Sequence, residues 1–364
     1  MWLSACASCG QRVYFENVSC TQCGAILGFV PSELRIQSFT ADGDDELVPI
    51  KPTAPKILYR RCANWTNYNV CNWVVPQDDP NDLCIACRLN RTIPNLSEAN
   101  NDQLWLTLEI EKRRLIYSLL SLKLPVIAST PDVQQLAFDF LADTEPTFSE
   151  SGRVFTGHAN GVITLNIKEA NPVIREQMRL KMAEPYRTLL GHFRHESGHY
   201  YWDLLVRDSE WLKPVRALFG DDTQDYSAAL QRHYEQGPPA DWQANHISAY
   251  ASMHPWEDWA ETWAHYLHII DTLETAKAFG LILRPDVANN ARVNNEGAPI
   301  ALDMNPYANN EFAKIIKHWL PLSYALNSLS RSMGHQHLYP FVLAEPVVKK
   351  LDLINRIVHN QAAH

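Results

Sequence analysis

Apolar positions recur at helical spacing through QLWLTLEIEKRRLIYSLLSLKL (103–124), which predicts a long helix. The polar stretch before it, RLNRTIPNLSEANNDQ, reads as a linker in which Ser97 or Asn101 can start that helix. A shorter apolar helix and then a turn are expected over 128–146. GVITLNI (161–167) is short and β-branched, and predicts a strand. Prolines then mark helix starts. Pro172 opens a helix to about Ala183, Pro185 opens one through YRTLLGHFRHESGHYYWDLLV, and Pro255 opens WEDWAETWAHYLHIIDTLETAKAFG. GDDTQD and EQGPPAD mark loops between 220 and 241, and the Asn-, Pro- and Gly-rich stretch 285–307 reads as a long loop. Helices are expected over 309–332 and 344–359, with no internal repeat or low-complexity segment. Beyond residue 100 the pattern is mostly helical with little strand, as one domain over 100–364.

The chemistry ahead of that domain is set by cysteine. All eight cysteines fall within the first 87 residues. Cys6, Cys9, Cys20 and Cys23 read CASC, ten residues, then CTQC. Each CxxC turns two thiolates toward one metal, and two such turns complete a tetrahedron around zinc. Gly10 and Gly24 follow the pairs, where positive φ suits the turn. Cys62, Cys71, Cys84 and Cys87 form a second set with one loose pair and one knuckle, CIAC, and no cysteine is left over. Disulfides would need an oxidising compartment. The N-terminus, MWLSACASCGQ, lacks the basic and long apolar regions of a secretory signal. Residues 1–95 are therefore expected to form a small zinc-ribbon or rubredoxin-like β module with two structural zincs. These act as staples for a module too short to hold a core of its own.

Composition narrows the class further. With 364 residues, 46% hydrophobic and 20% charged, the chain has room for a sizeable core and two domains. A net charge of −9 argues against a protein that binds by neutralising phosphates. KILYRRCANWTNYNVCNWVV mixes basic and aromatic residues as a single-strand binder does, but ADGDDE and QDDPND cancel its charge. Nucleic acid is thus disfavoured as a partner. No apolar run approaches the roughly 18 residues of a membrane span, so a cytoplasmic location is expected. No strong heptad pattern points to an oligomer.

RHESGHYYWD (194–203) contains His195-Glu196-Ser197-Gly198-His199. On a helix, residues four apart share a face, so His195 and His199 can offer two imidazoles to one metal. Glu196, beside the first, suits a general base acting on a zinc-bound water, which is the nucleophile. The strand expected at 161–167 lies upstream, where zinc proteases keep an edge strand that aligns a peptide. Gly198 leaves room beside the metal. A catalytic zinc needs a third protein ligand. HPWEDWAETWAHYLH offers His254, Glu257, Glu261, His265 and His268. Were Glu257 the ligand, Glu261 one turn on could accept a hydrogen bond from a ligating imidazole. His254 reads as a cap or loop residue, and His265 and His268 as packed or partly solvated side chains, with support of a metal ligand as the alternative for either. Asp203, one turn after His199, is either an imidazole-orienting carboxylate or a surface one. Tyr200, Tyr201 and Trp202 read as core or cleft wall. Arg331 and His335 either reach a substrate or belong to packing and a helix C-cap at Gly334, the second being favoured.

HESGHYYWDLL followed by YASMHPWEDWAETWAHYLHI, with ALNSLSRSMGHQHLYPFVL later, resembles the bacterial zinc-binding metallopeptidase family, whose members carry a zinc ribbon ahead of a gluzincin-like domain. The resemblance runs from CASCG to the final helix and implies a zincin-like fold for 100–364. The E-x-W-A-E-x-W order is similar to the E-x-F-A-E-x-F of the anthrax lethal-factor type of zincin, with Trp standing for Phe. That resemblance implies Glu257 as the third zinc ligand and Glu261 as its support. It also implies a role for Tyr250, seven residues before Glu257, as donor to the oxyanion. The function expected is a zinc-dependent peptidase acting on a peptide or protein substrate, with one catalytic and two structural zincs. The alternative is a zinc-stapled binding or scaffold protein, engaging protein or nucleic acid through the ribbon. Only hydrolysis needs Glu196, whereas a binding site would tolerate Gln there.

Overall fold

β-branched and aromatic residues in short runs give the N-terminal module an antiparallel sheet. β3 (Ile26–Val30), β4 (Arg35–Asp42), β5 (Glu46–Pro49), β6 (Tyr59–Arg61) and β7 (Val74–Pro76) pair in chain order, each antiparallel to the next. A small hairpin of β1 (Ser4–Ala5) and β2 (Arg12–Val13) precedes it. The computed structural model describes residues 3–43, 46–51, 57–127, 134–143, 156–181, 188–284 and 299–361. The module does hold a core, contrary to the expectation from its length. Val30, Phe39, Leu47, Tyr59 and Val74 are buried together, with Ile26 and Trp65 packed against them. Period-two alternation puts these side chains on one face of the sheet, and α1 (Ala63–Tyr68), which carries Trp65, covers it.

Two compact units divide the chain at Tyr200/Tyr201. The first takes in the cysteine module because α2 (Asn101–Ser121) packs on it. Tyr117 meets Phe15 and Phe29 edge-on at 5.6 and 6.0 Å, and Arg114 pairs with Glu16 at 2.6 Å. Beneath α2 lies a four-stranded sheet in the order β10 (Gly157–Ala159), β11 (Val162–Asn166), β9 (Ala137–Leu141), β8 (Asn90–Thr92). The apolar run expected to be a helix within 128–146 is thus strand β9 where it is described. It runs parallel to both neighbours, with Phe138 and Phe140 fully buried. A five-residue apolar run fits either element, and pairing on both sides decides for the strand. The strand expected at 161–167 is β11, but it lies inside the sheet, and β10 takes the edge.

α3 (Pro172–Lys181) starts at Pro172 as expected; Pro185 lies outside the described residues. α4 (Leu189–Leu205) carries His195, Glu196 and His199. The second unit is mostly helical: α5 (Leu212–Phe219), α6 (Tyr226–Gln236), α7 (Pro255–Ala278), α8 (Phe312–Ser332) and α9 (Glu345–Gln361). α6 fills the space between the two predicted loops at 220–241. Of the expected loop at 285–307, residues 285–298 lie outside the described residues, and Ile300–Ala301 pairs with Ile282–Leu283 as a short hairpin. Gly334, at φ +80°, closes α8, and His335 N–H returns to the Ser330 carbonyl at 3.0 Å. The class is α+β, a cysteine-bearing β module followed by a mostly helical C-terminal part. Among the described residues no helix is long and apolar enough to cross a membrane.

Candidate metal centres

The two CxxC turns of the first set share one backbone pattern. Gly10 N–H bonds to the Cys6 carbonyl and Gly24 N–H to the Cys20 carbonyl, each at 2.8 Å. Both glycines take positive φ, +79° and +75°. The turns bring Cys6 Sγ to 3.6 Å from Cys23 Sγ, and Cys9 Sγ to 3.6 Å from Cys20 Sγ. In the second set Cys71 Sγ lies 3.8 Å from Cys84 Sγ and 3.7 Å from Cys87 Sγ. A zinc–sulfur bond of about 2.3 Å puts the sulfurs of a tetrahedron roughly 3.8 Å apart, whereas a disulfide needs about 2.05 Å. None of the eight cysteines is in a disulfide, and each set of four converges within 4.8 Å. These are two four-cysteine sites fit for zinc.

Their surroundings differ. Cys23 of the first site is exposed and Cys9 half-buried, whereas all four cysteines of the second are buried. At the second site Cys84 N–H points at Cys62 Sγ (3.3 Å) and Trp73 N–H at Cys71 Sγ (3.4 Å). Arg113 of α2 reaches in, bonding the Val70 carbonyl and lying 3.6 Å from Glu109. Burial works against its charge, but the negative charge of Cys71, Glu109, Cys87 and Cys84 holds the guanidinium pKa above its ordinary value.

A third group lies on the helices. His195 and His199 stand one turn apart on α4, their rings 4.9 Å apart and nearly perpendicular. The start of α4 is tied by His192 Nδ1, 2.8 Å from Glu169 Oε2. Tyr200, buried at the boundary, donates its hydroxyl to the Gln134 carbonyl at 3.1 Å. The His158 ring of β10 stacks on His199 at 6.3 Å. Glu196, between the two histidines in sequence, is 9% exposed. In the last turn of α4, Tyr201 stacks on Trp263 of α7 at 5.0 Å and Trp202 meets Trp259 edge-on at 5.5 Å. Tyr201 and Trp202 are thus core residues. Asp203, also in that turn, pairs with Arg207.

α7 begins on Pro255 with His254 as its N-cap. His254 Nδ1 accepts from Trp256 N–H at 3.1 Å, and its Nε2 faces the Gln224 carbonyl at 3.1 Å. The carbonyl can only accept, so Nε2 carries the proton. Glu257, 2% exposed, accepts the Tyr226 hydroxyl on Oε1 at 2.8 Å. Glu261, one turn on, accepts the Ser248 hydroxyl at 2.6 Å. Burial pushes the Tyr250 phenol far above its ordinary pKa, and the charge of Glu257 and its contact with Tyr226 push the same way. His265 bonds Tyr339 at 2.8 Å, and with His268 it is buried in α7. One ligand atom each from His195, His199 and Glu257 lies within 4.8 Å of the others.

Tyr226, Ser248 and Arg113 are not singled out by sequence reasoning. The only cue at Tyr226 is Asp225 before it, a helix N-cap whose carboxylate accepts from Ala228 N–H at 3.0 Å.

Comparison with known proteins adds family and relatives. The family model described as "Putative zinc-binding metallo-peptidase" matches residues 101–357, and a zinc-ribbon domain model matches residues 3–98. Uncharacterized proteins of Mycobacterium bovis and Mycobacterium tuberculosis are 44% identical over 361 residues, covering 98% of this chain and 95% of theirs. No solved structure matches.

Proposed function

We propose that this chain, which belongs to the zinc-binding metallo-peptidase family, is a zinc-dependent peptidase of zincin-like type. The observation that carries the reading is one donor set: two imidazoles a turn apart on α4 and the buried carboxylate of Glu257. Two nitrogens and one oxygen suit zinc, and three protein ligands leave a position open for chemistry. A zinc ion held there would supply a Lewis acid and a water activated near neutral pH.

The chain's own residues do the rest. Glu196 takes a proton from the attacking water on its carboxylate and returns it to the leaving amine nitrogen. The Tyr250 phenol, protonated at neutral pH as an ordinary phenol is, can donate to the oxygen of the attacked carbonyl. Glu261 and Asp203 steady the ligand-bearing helices, and the zincs of the two four-cysteine sites are structural, making three zincs per chain. The substrate is a peptide or protein met in the cytoplasm.

The test is cleavage of a complex peptide pool read by mass spectrometry, with wild type beside Glu196→Gln. Products from wild type alone are expected, with equal zinc content in both proteins. Equal cleavage by Glu196→Gln would sink the mechanism. No cleavage by a wild type holding three zincs would favour the scaffold reading.

A further inference from the structure

The sequence motif around Glu257 names a ligand but not what aims it. A carboxylate has two oxygens and can rotate, so a lone glutamate offers a metal one oxygen or both. Glu257 is not alone. The Tyr226 hydroxyl donates to Oε1 at 2.8 Å, from the first turn of a different helix. Both groups are fixed. The Tyr226 ring lies edge-on to His254 (5.4 Å) and Trp256 (5.9 Å), the residues on either side of Pro255, which opens α7. The chain just before Tyr226 is tied to the same place, through the Gln224 carbonyl and His254 Nε2 at 3.1 Å. Asp225 then caps α6. Residues 224–226 and 254–257 are therefore joined at two points, one of which is the phenol on the carboxylate.

We infer that Tyr226 is a positioning residue for the metal ligand Glu257: it holds one carboxylate oxygen and so offers the other to the ion. This rests on the reading of Glu257 as a zinc ligand. The sequence places Tyr226 31 residues before Glu257 in a separate helix, outside every motif. A hydrogen bond from phenol to carboxylate is charge-assisted, and it orients the ligand.

The experiment loads the full chain with zinc and follows its release to a chromophoric chelator, for wild type and Tyr226→Phe. The Phe ring keeps the packing against His254 and Trp256. The eight cysteines, assayed by their zinc content, report that the fold is intact. Loss of a ligand-orienting partner costs metal affinity about 10- to 100-fold. The third zinc of Tyr226→Phe is therefore expected to leave about that much faster, with the cysteine-bound zincs unchanged. Cobalt in place of zinc gives a second readout. The visible absorption of the third site should change in Tyr226→Phe, because the freed carboxylate can bind through both oxygens. If Tyr226→Phe does not fold, Asp225→Ala replaces it, loosening the turn that seats the phenol, with the same expected direction. Unchanged release and an unchanged cobalt spectrum overturn the inference. A wild type that takes up only two zincs overturns the reading of Glu257 as a ligand, and the inference with it.

Discussion

Replacing Lys350 with methionine tests how the entry of α7 is held. Lys350 Nζ lies 2.6 Å from Asp258 Oδ2 and 2.7 Å from the Asn245 carbonyl, with the Phe219 ring at 5.4 Å. The two side chains are 4% and 1% exposed. Methionine keeps most of the volume but leaves the Asp258 carboxylate in place. His246, 3.8 Å away, is held down to about 4, first by burial and then by the charge of Lys350; removing Lys350 lifts the second cause, but burial, the larger one, still works against a charge there. Breaking a buried pair from one side costs about 3–5 kcal/mol where the remaining group stays charged, which for Asp258 means the alkaline side; at lower pH the carboxyl takes up a proton instead. The pH dependence gives a second handle. Burial pushes the Asp258 carboxyl up to about 7 from an ordinary 3.8, against the pull of Lys350. The folded chain then holds a proton that the unfolded chain has released, so this group's contribution falls as pH climbs from about 4 toward 7. Without Lys350 the pKa rises further and the fall continues above 7. The deficit of Lys350→Met is thus smallest in acid and grows on the alkaline side. Urea unfolding followed by tryptophan fluorescence, on either side of neutrality, measures it. Asp258→Asn with Lys350→Met removes both charges and should recover most of the loss. On the alkaline side, a single-mutant penalty under about 1 kcal/mol, or a double mutant no better than the single, would refute the reasoning.

Three further outcomes follow from the geometry. Glu257→Ala should lose the third zinc and keep the two cysteine-bound zincs, as metal analysis of the purified chain would reveal. Cys84→Ser should lose the zinc of the second four-cysteine site and lower the melting temperature sharply, because that site is buried against α2; an unchanged melt would contradict this. At Gly28 an added Cβ would meet Val74 Cγ1 at 2.6 Å and Phe39 Cε2 at 3.3 Å. Gly28→Ala should therefore cost about 1–3 kcal/mol by overpacking, readable in the same urea assay.

Local chemistry is legible in the sequence, and pairing across distance is not. The CxxC turns, with glycines at positive φ, follow from spacing alone, as do the helix opened by Pro255 and the two histidines on one face of α4. The strand at 137–141 reads as helix because AFDFL has no period to separate the two; its neighbours β11 and β8 decide it. The core of the cysteine module escapes the sequence because length is a poor guide when a five-stranded sheet gathers side chains from residues 26 to 76. Tyr226 and Lys350 reach Glu257 and Asp258 across 31 and 92 residues, and no local pattern encodes that.

α7 shows why a carboxylate there can be aimed well. Residues four apart share a face, and adjacent residues do not. Glu257 and Glu261 accordingly face one way and take hydroxyls from Tyr226 and Ser248. Asp258 faces another way and takes Lys350 of α9. Trp259 and Trp263 take the last turn of α4, and Tyr266 farther along bonds Asn355 at 3.0 Å. A rotation of the helix about its axis would disturb all of these at once. The Glu257 carboxylate is therefore fixed by supports on several faces of α7, and by the phenol that holds one of its oxygens.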